Sequence, residues 1–148
     1  MKETPLVIER TFNAPVEKVW KAITDIDQMK LWYFPQLEQF KPEAGFETQF
    51  NVHHEGKDYL HTWKIKEVIR LKKISVEWKY GGYPGNSLVH FELFPEGNKT
   101  KLVLTHEKIE TFIPGKHPEL AKENFLQGWT EFMDKGLKEF LEREIFGK

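Results

Sequence analysis

The sequence predicts an α+β domain in which a curved antiparallel sheet wraps one long C-terminal helix, with two short helices after the first strand. Three observations predict it. A strand pattern, Leu6 to Phe12, runs straight into Asn13-Ala14-Pro15 and an amphipathic helix. From Phe46 to His106 apolar residues recur at every second position, in segments parted by Gly, Pro and Asn. The last stretch, from about Pro118 to Ile145, carries Phe125, Gly128-Trp129, Phe132 and Phe140 on one helical stripe. A sheet with one apolar face needs a cover, and only the helices can supply it. A sheet curled around a helix leaves space between the two, which makes an internal pocket the leading functional expectation.

The elements follow in order. Pro15 suits the first helical position, where a missing N–H costs nothing. Val16, Val19, Trp20 and Ile23 then keep the spacing of a half-buried helix. Asp25 to Asp27 interrupts it, and a second short helix over about Asp27 to Tyr33 brings in Leu31 and Trp32 before Pro35 stops it. From Leu37 the period is expected to be two. Phe46, Thr48, Phe50 and Val52 share one parity, and His54-Glu55-Gly56-Lys57 turns the chain. Tyr59, His61, Trp63 and Ile65 form the next face, followed by Ile74, Val76, Trp78 and Tyr80. Gly81 to Asn86 reads as a loop; Val89, Phe91 and Leu93, and then Leu102, Leu104 and His106, complete the meander. Lys108 to His117 is a connection, the last helix begins near Pro118, and Gly147 sits where a C-terminal glycine belongs.

Composition narrows the function classes. The 148 residues fit a single domain, 1–148, large enough to bury roughly 70% of its unfolded surface without staples. No cysteine is present, which excludes disulfides, thiolate metal sites and cysteine nucleophiles. The net charge is −1 with both signs interspersed, so no single-sign patch favours nucleic acid or an anionic membrane. No segment is long and apolar enough to insert in a membrane, and a soluble cytoplasmic protein is expected. Twelve Phe and five Trp supply a core of large rings and equally suit the walls of an apolar cavity.

Ile8-Glu9-Arg10-Thr11-Phe12-Asn13-Ala14-Pro15-Val16-Glu17-Lys18-Val19-Trp20-Lys21-Ala22-Ile23-Thr24-Asp25 resembles the opening of the START-like, helix-grip (SRPBCC) superfamily. It is similar in particular to the branch named after the activator of the heat-shock chaperone ATPase. Leu31-Trp32, the Pro42-Glu43-Ala44-Gly45-Phe46 lead-in to a long hairpin, and Gln127-Gly128-Trp129 in the closing helix extend the likeness over nearly the whole chain. The resemblance implies the helix-grip fold and a cavity between sheet and long helix, used by relatives for lipids, sterols, polyketides or other apolar molecules. It implies no single activity. Full-length chaperone activators add an N-terminal domain with an Asn/Trp/His-rich motif. No such motif occurs here, so direct stimulation of the chaperone ATPase is not the expected role.

Candidate chemistry is sparse. His53 and His54 are adjacent, point to opposite faces of a strand and cannot chelate one ion; no metal or cofactor is expected. His61 and His106 share strand faces with apolar neighbours and could hydrogen-bond a polar group of a ligand or act as acid–base groups. The plainer reading is a core or rim histidine satisfied by backbone or water. Arg10 is either an inward partner for a ligand carboxylate or half of a salt bridge at the sheet edge, and Glu67 either a polar group on the cavity wall or a solvated carboxylate. No nucleophile elbow or phosphate loop occurs.

Binding of a small apolar or amphipathic molecule is therefore the expected function. The pocket is expected to be walled by Phe50, His61, Trp63, Val76, Trp78, Phe91, His106, Phe125, Trp129 and Phe132. Fatty acids, sterols and flat aromatics are the expected ligand classes, ahead of sugars and nucleotides. Two alternatives remain: a cyclase/aromatase- or hydrolase-like enzyme using His61, His106 or Arg10, and a chaperone cofactor or stress-related interaction module. A homodimer is compatible with the sequence.

Overall fold

The computed structural model describes residues 4–146, with side chains as far as residue 142. In chain order its elements are β1 (Leu6–Phe12), α1 (Val16–Thr24), α2 (Ile26–Trp32), β2 (Glu47–His54), β3 (Lys57–Ile69), β4 (Lys73–Tyr80), β5 (Ser87–Glu96) and β6 (Lys99–Glu107). Two 3₁₀ turns follow, Ile109–Phe112 and Pro118–Leu120. The chain closes with α3 (Lys122–Glu131), a π-helical segment (Phe132–Leu137) and α4 (Lys138–Phe146). The last three run on without a break and form the expected long helix.

The strands lie in the order β1-β6-β5-β4-β3-β2 with every neighbouring pair antiparallel. β2 to β6 form a meander of hairpins, the arrangement that short turns between period-two segments favour. β1 then pairs with β6, and α1 and α2 lie on the path from one edge of the sheet to the other. Alternation sorts the faces as expected: Ile74, Val76, Trp78, Val89, Phe91, Leu93, Leu102 and Leu104 are all buried. On the facing helix Trp129, Met133, Leu137 and Leu141 are 3% exposed or less.

Several boundaries differ from the sequence reading. Pro15 is the residue before α1, not its first helical residue; its carbonyl accepts from the N–H groups of Lys18 and Val19. The period of two starts at Glu47, not Leu37; the stretch before it is irregular, yet it buries Phe34, Leu37 and Phe40. In α2, Trp32 is buried and its indole N–H donates to the Ala22 carbonyl at 2.7 Å, locking α2 to α1, whereas Leu31 is 75% exposed. Pro118 opens a 3₁₀ turn, and helical bonding proper begins four residues later. Gly147 lies outside the described residues.

Two glycines, Gly136 and Gly85, carry close approaches of backbone to backbone. A Cβ on Gly136 would sit 2.7 Å from the Trp32 carbonyl oxygen, so Gly136 is where the long helix presses on the end of α2. Gly85, at φ +94°, lets the β4–β5 loop meet the 3₁₀ turn, where a Cβ would lie 2.4 Å from the Thr111 oxygen. Gly128, beside Trp129 on the aromatic stripe, has nothing within 4 Å of its Cβ direction; it faces open space.

Candidate functional site

That open space is a cleft of about 440 Å³ between the inner face of the sheet and the first half of the long helix, open to solvent on one side. Its sheet wall is His61 of β3 with Trp78 and Tyr80 of β4, and its helix wall is Phe125, Gly128, Trp129 and Phe132. Phe34, just beyond α2, closes the deep end; its ring lies 5.0 to 5.2 Å from those of Phe50, Phe132 and His61. The mouth is framed by the β2–β3 hairpin (Val52, His54, Glu55, Tyr59) and by Glu119, Leu120, Asn124, Gln127 and Glu131 along the approach to the long helix.

The hairpin is fastened to that approach. Glu119 Oε2 accepts from Lys57 Nζ at 2.9 Å and from the Tyr83 hydroxyl at 2.7 Å, and these two bonds hold its carboxyl down at about 2. Tyr83 stacks on Tyr59, and Lys57 lies over the Tyr83 ring. The mouth is thus built from three segments far apart in the sequence.

The two inward histidines differ in kind. His61 Nδ1 lies 3.0 Å from the Tyr59 carbonyl oxygen. A carbonyl only accepts, so neutral His61 carries its proton on Nδ1 and presents a lone pair on Nε2. Among the described residues Nε2 has no hydrogen-bond partner. The ring stacks on Phe50 at 5.0 Å, is 6% exposed, and burial pushes its pKa down to about 4, so it is neutral at physiological pH.

His106 is closed off. The Trp129 indole N–H donates to its Nδ1 at 3.1 Å, its Nε2–H donates to Ser87 Oγ at 2.8 Å, and Ser87 donates to the Trp78 carbonyl at 2.8 Å. The chain ends on backbone, the ring is fully buried, and burial pushes its pKa down to about 3. The Trp78 ring stands between the two imidazoles, 5.5 Å from His61 and 6.0 Å from His106. No carboxylate pairs with either ring among the described residues, which leaves neither with an orienting acid partner.

Of the ten residues expected to line a pocket, the cleft brings together His61, Trp78, Phe125, Trp129 and Phe132. Phe50 lies behind His61, and His106 behind Trp129. Trp63, Val76 and Phe91 surround a separate void of about 10 Å³, room for one water at most, and belong to packed core. Arg10 does face the helix, but its guanidinium bonds Asp134 at 2.6 Å, the sheet-edge salt bridge. Glu67 is not on the cavity wall. A bulge between Ile65 and Glu67 shifts the parity, so Glu67 pairs opposite Ser75 on the outer face and meets Lys73. His53 and His54 are exposed beside the hairpin turn.

Sequence reasoning missed Phe34, Tyr80 and the mouth. Tyr80 carried the signal, since it has the parity of Val76 and Trp78; Phe34 lies in an irregular segment where no period applies. Another cluster also went unread: Ser75 Oγ–H donates to His90 Nδ1 and His90 Nε2–H to Glu107, each at 2.7 Å. It is wired like a hydrolytic triad, but it sits on the outer face, away from the cleft, and its serine is 3% exposed. It braces three strands.

This is a helix-grip domain with a half-open aromatic cleft. The sequence profile of the Activator of Hsp90 ATPase homolog 1-like protein family matches residues 13–142, and the chain belongs to that family. Among solved structures it is similar to protein CV1439 from Chromobacterium violaceum (18% identity, 93% of this chain and 96% of that one, TM-score 0.79). It is also similar to protein MLL2253 from Mesorhizobium loti (23% identity, 95% and 98%, TM-score 0.74). DynU16, a protein of the dynemicin biosynthetic locus, matches 99% of this chain over 49% of its own length (18% identity, TM-score 0.72). At these identities the likeness establishes the shared fold. No curated protein matches the chain.

Proposed function

We propose that this domain binds a small apolar or amphipathic molecule in the cleft between sheet and long helix. One observation carries the reading: Gly128 stands on the helix wall with its Cβ direction empty, opposite a sheet wall of rings, so a space of about 440 Å³ persists where most of the inner face is tightly packed. A volume of this size suits a molecule of drug or small-lipid dimensions. The occurrence of the same fold in a protein of a biosynthetic locus is in keeping with small-molecule binding. Enzyme function has less support: among the described residues no carboxylate pairs with either inward histidine, and the hydroxyl beside His106, that of Ser87, is fully buried and donates to the Trp78 carbonyl.

The test is native mass spectrometry of the purified protein for a co-purified molecule, followed by a thermal-shift screen. Apolar and aromatic compounds should stabilise the wild type. Gly128→Leu, whose Cβ would meet nothing within 4 Å and whose side chain would take up part of the cleft, should fold and weaken the response. A screen in which only nucleotides or metal ions stabilise the protein would contradict the proposal.

A further inference from the structure

Two deeply buried rings of the cleft lining each keep one hydrogen-bonding position unused. One is the His61 Nε2 lone pair. The other is the Tyr80 hydroxyl proton: Tyr80 Oη accepts the Trp78 indole N–H at 2.8 Å, and among the described residues its own hydrogen has no acceptor. His61 and Tyr80 are 6% and 8% exposed, and their ring centres are 4.8 Å apart. The sheet wall therefore offers one acceptor and one donor on neighbouring rings, while the charged residues of the lining belong to the mouth.

From this pair we infer that the cleft selects a neutral molecule bearing a hydroxyl group on an apolar body, with that hydroxyl donating to His61 Nε2 and accepting from Tyr80. The inference rests on the reading of the cleft as a ligand site. A hydroxyl is the smallest group that is donor and acceptor at one atom. A carboxylate only accepts, and it would face Nε2 lone pair to lone pair. Charge points the same way: the charged side chains lining the cleft are Glu55, Glu119 and Glu131, with no Lys or Arg among them. Lys57, close by, is already engaged by Glu119. Fatty-acid anions, expected from the sequence to be among the binders, are thus disfavoured at neutral pH. Burial keeps Tyr80 protonated as a donor and His61 neutral as an acceptor.

Matched naphthalene probes test this. 2-Naphthol, 2-naphthalenemethanol, 2-methoxynaphthalene and 2-naphthoate share one apolar body and differ in the head group. Titration at neutral pH, followed by calorimetry and by ¹⁵N chemical shifts of cleft residues, gives each affinity. At least one hydroxyl probe should bind roughly 10- to 100-fold more tightly than both the ether and the carboxylate, because those leave a buried polar group unpaired. His61→Phe, which keeps a ring stacked on Phe50, should bring 2-naphthol and 2-methoxynaphthalene to equal affinity. Tyr80→Phe, which removes one oxygen, is the second variant and should narrow the same gap. Equal affinity of wild type for hydroxyl, ether and carboxylate would overturn the hydroxyl assignment while leaving the cleft a ligand site. No shift of cleft resonances by any probe would overturn the cleft reading itself.

Discussion

Two imidazoles buried in neutral form make the domain acid-sensitive in a window that its carboxylates leave alone. His61 and His106 titrate near 6.5 when unfolded, and in the fold burial pushes them to about 4 and about 3. Between those limits the unfolded chain binds more protons than the native one, so stability is intact above pH 6.5 and falls as pH drops below it. Each histidine contributes about 1.4 kcal/mol of loss per pH unit until its folded value is reached. At about pH 5 each has cost about 2 kcal/mol, and the two together about 4 kcal/mol. That is a large fraction of the roughly 5–15 kcal/mol typical of a domain. Glu119, held down by Lys57 and Tyr83, and Asp134, held down by Arg10, are also lowered by folding and carry the same sign, but in a more acid window. Their stabilisation is present above the ordinary carboxylate range and is lost only as pH falls through it, so it does not enter above about pH 5. Urea unfolding at about pH 8 and about pH 5 measures the difference. His61→Phe should remove about half of the pH dependence while leaving the His106 share in place. A wild-type loss under about 1 kcal/mol across this window would refute the argument that both rings are buried without charge compensation.

Three further outcomes are expected. Trp129→Phe keeps most of the ring but strips His106 Nδ1 of its donor and should cost about 1–3 kcal/mol in denaturant unfolding, and Trp129→Ala about 3–5 kcal/mol. Gly136→Ala should destabilise by about 1–3 kcal/mol, since its Cβ would meet backbone that cannot swing aside, while Gly128→Ala should stabilise by up to about 1 kcal/mol through helix propensity; thermal melts of the pair separate the two glycines. Arg10→Ala should change stability by less than about 1 kcal/mol, because both partners of its ion pair are about 40% exposed, and the small effect should shrink further in high salt.

Much of the fold was written locally. Strand alternation, the α1 spacing and the aromatic stripe of the last helix are statements about residues a few positions apart, and the sheet and its cover follow from them. Which side of the sheet a residue faces was equally legible, so His61 and His106 were both recognised as inward. Parity also has a characteristic failure: one extra residue at the Ile65/Glu67 bulge turns Glu67 outward, and no local signal announces it. The π-helical segment does the same to the long helix, moving full burial onto Met133, Leu137 and Leu141.

The sequence by itself determined the α+β class, the order of elements, the inner face of each strand and the absence of thiol chemistry. Only the tertiary structure decided which part of that inner face is cleft and which is core. His61 and His106 carry the same sequence signature, yet one keeps a free nitrogen toward a cavity and the other is tied through Ser87 to backbone. Gly128 and Gly136 lie eight positions apart on one helix, yet one opens onto space and the other touches Trp32. The physical reason is that alternation encodes direction, whereas a cavity is a distance. How far the helix stands from the sheet is set by where it is pinned, at Gly136 against α2 and at Trp129 against His106, and by Phe34 arriving from an irregular segment. Those contacts join residues of different elements, 23 positions apart for His106 and Trp129 and about a hundred for Trp32 and Gly136, and no period within a strand or helix records them.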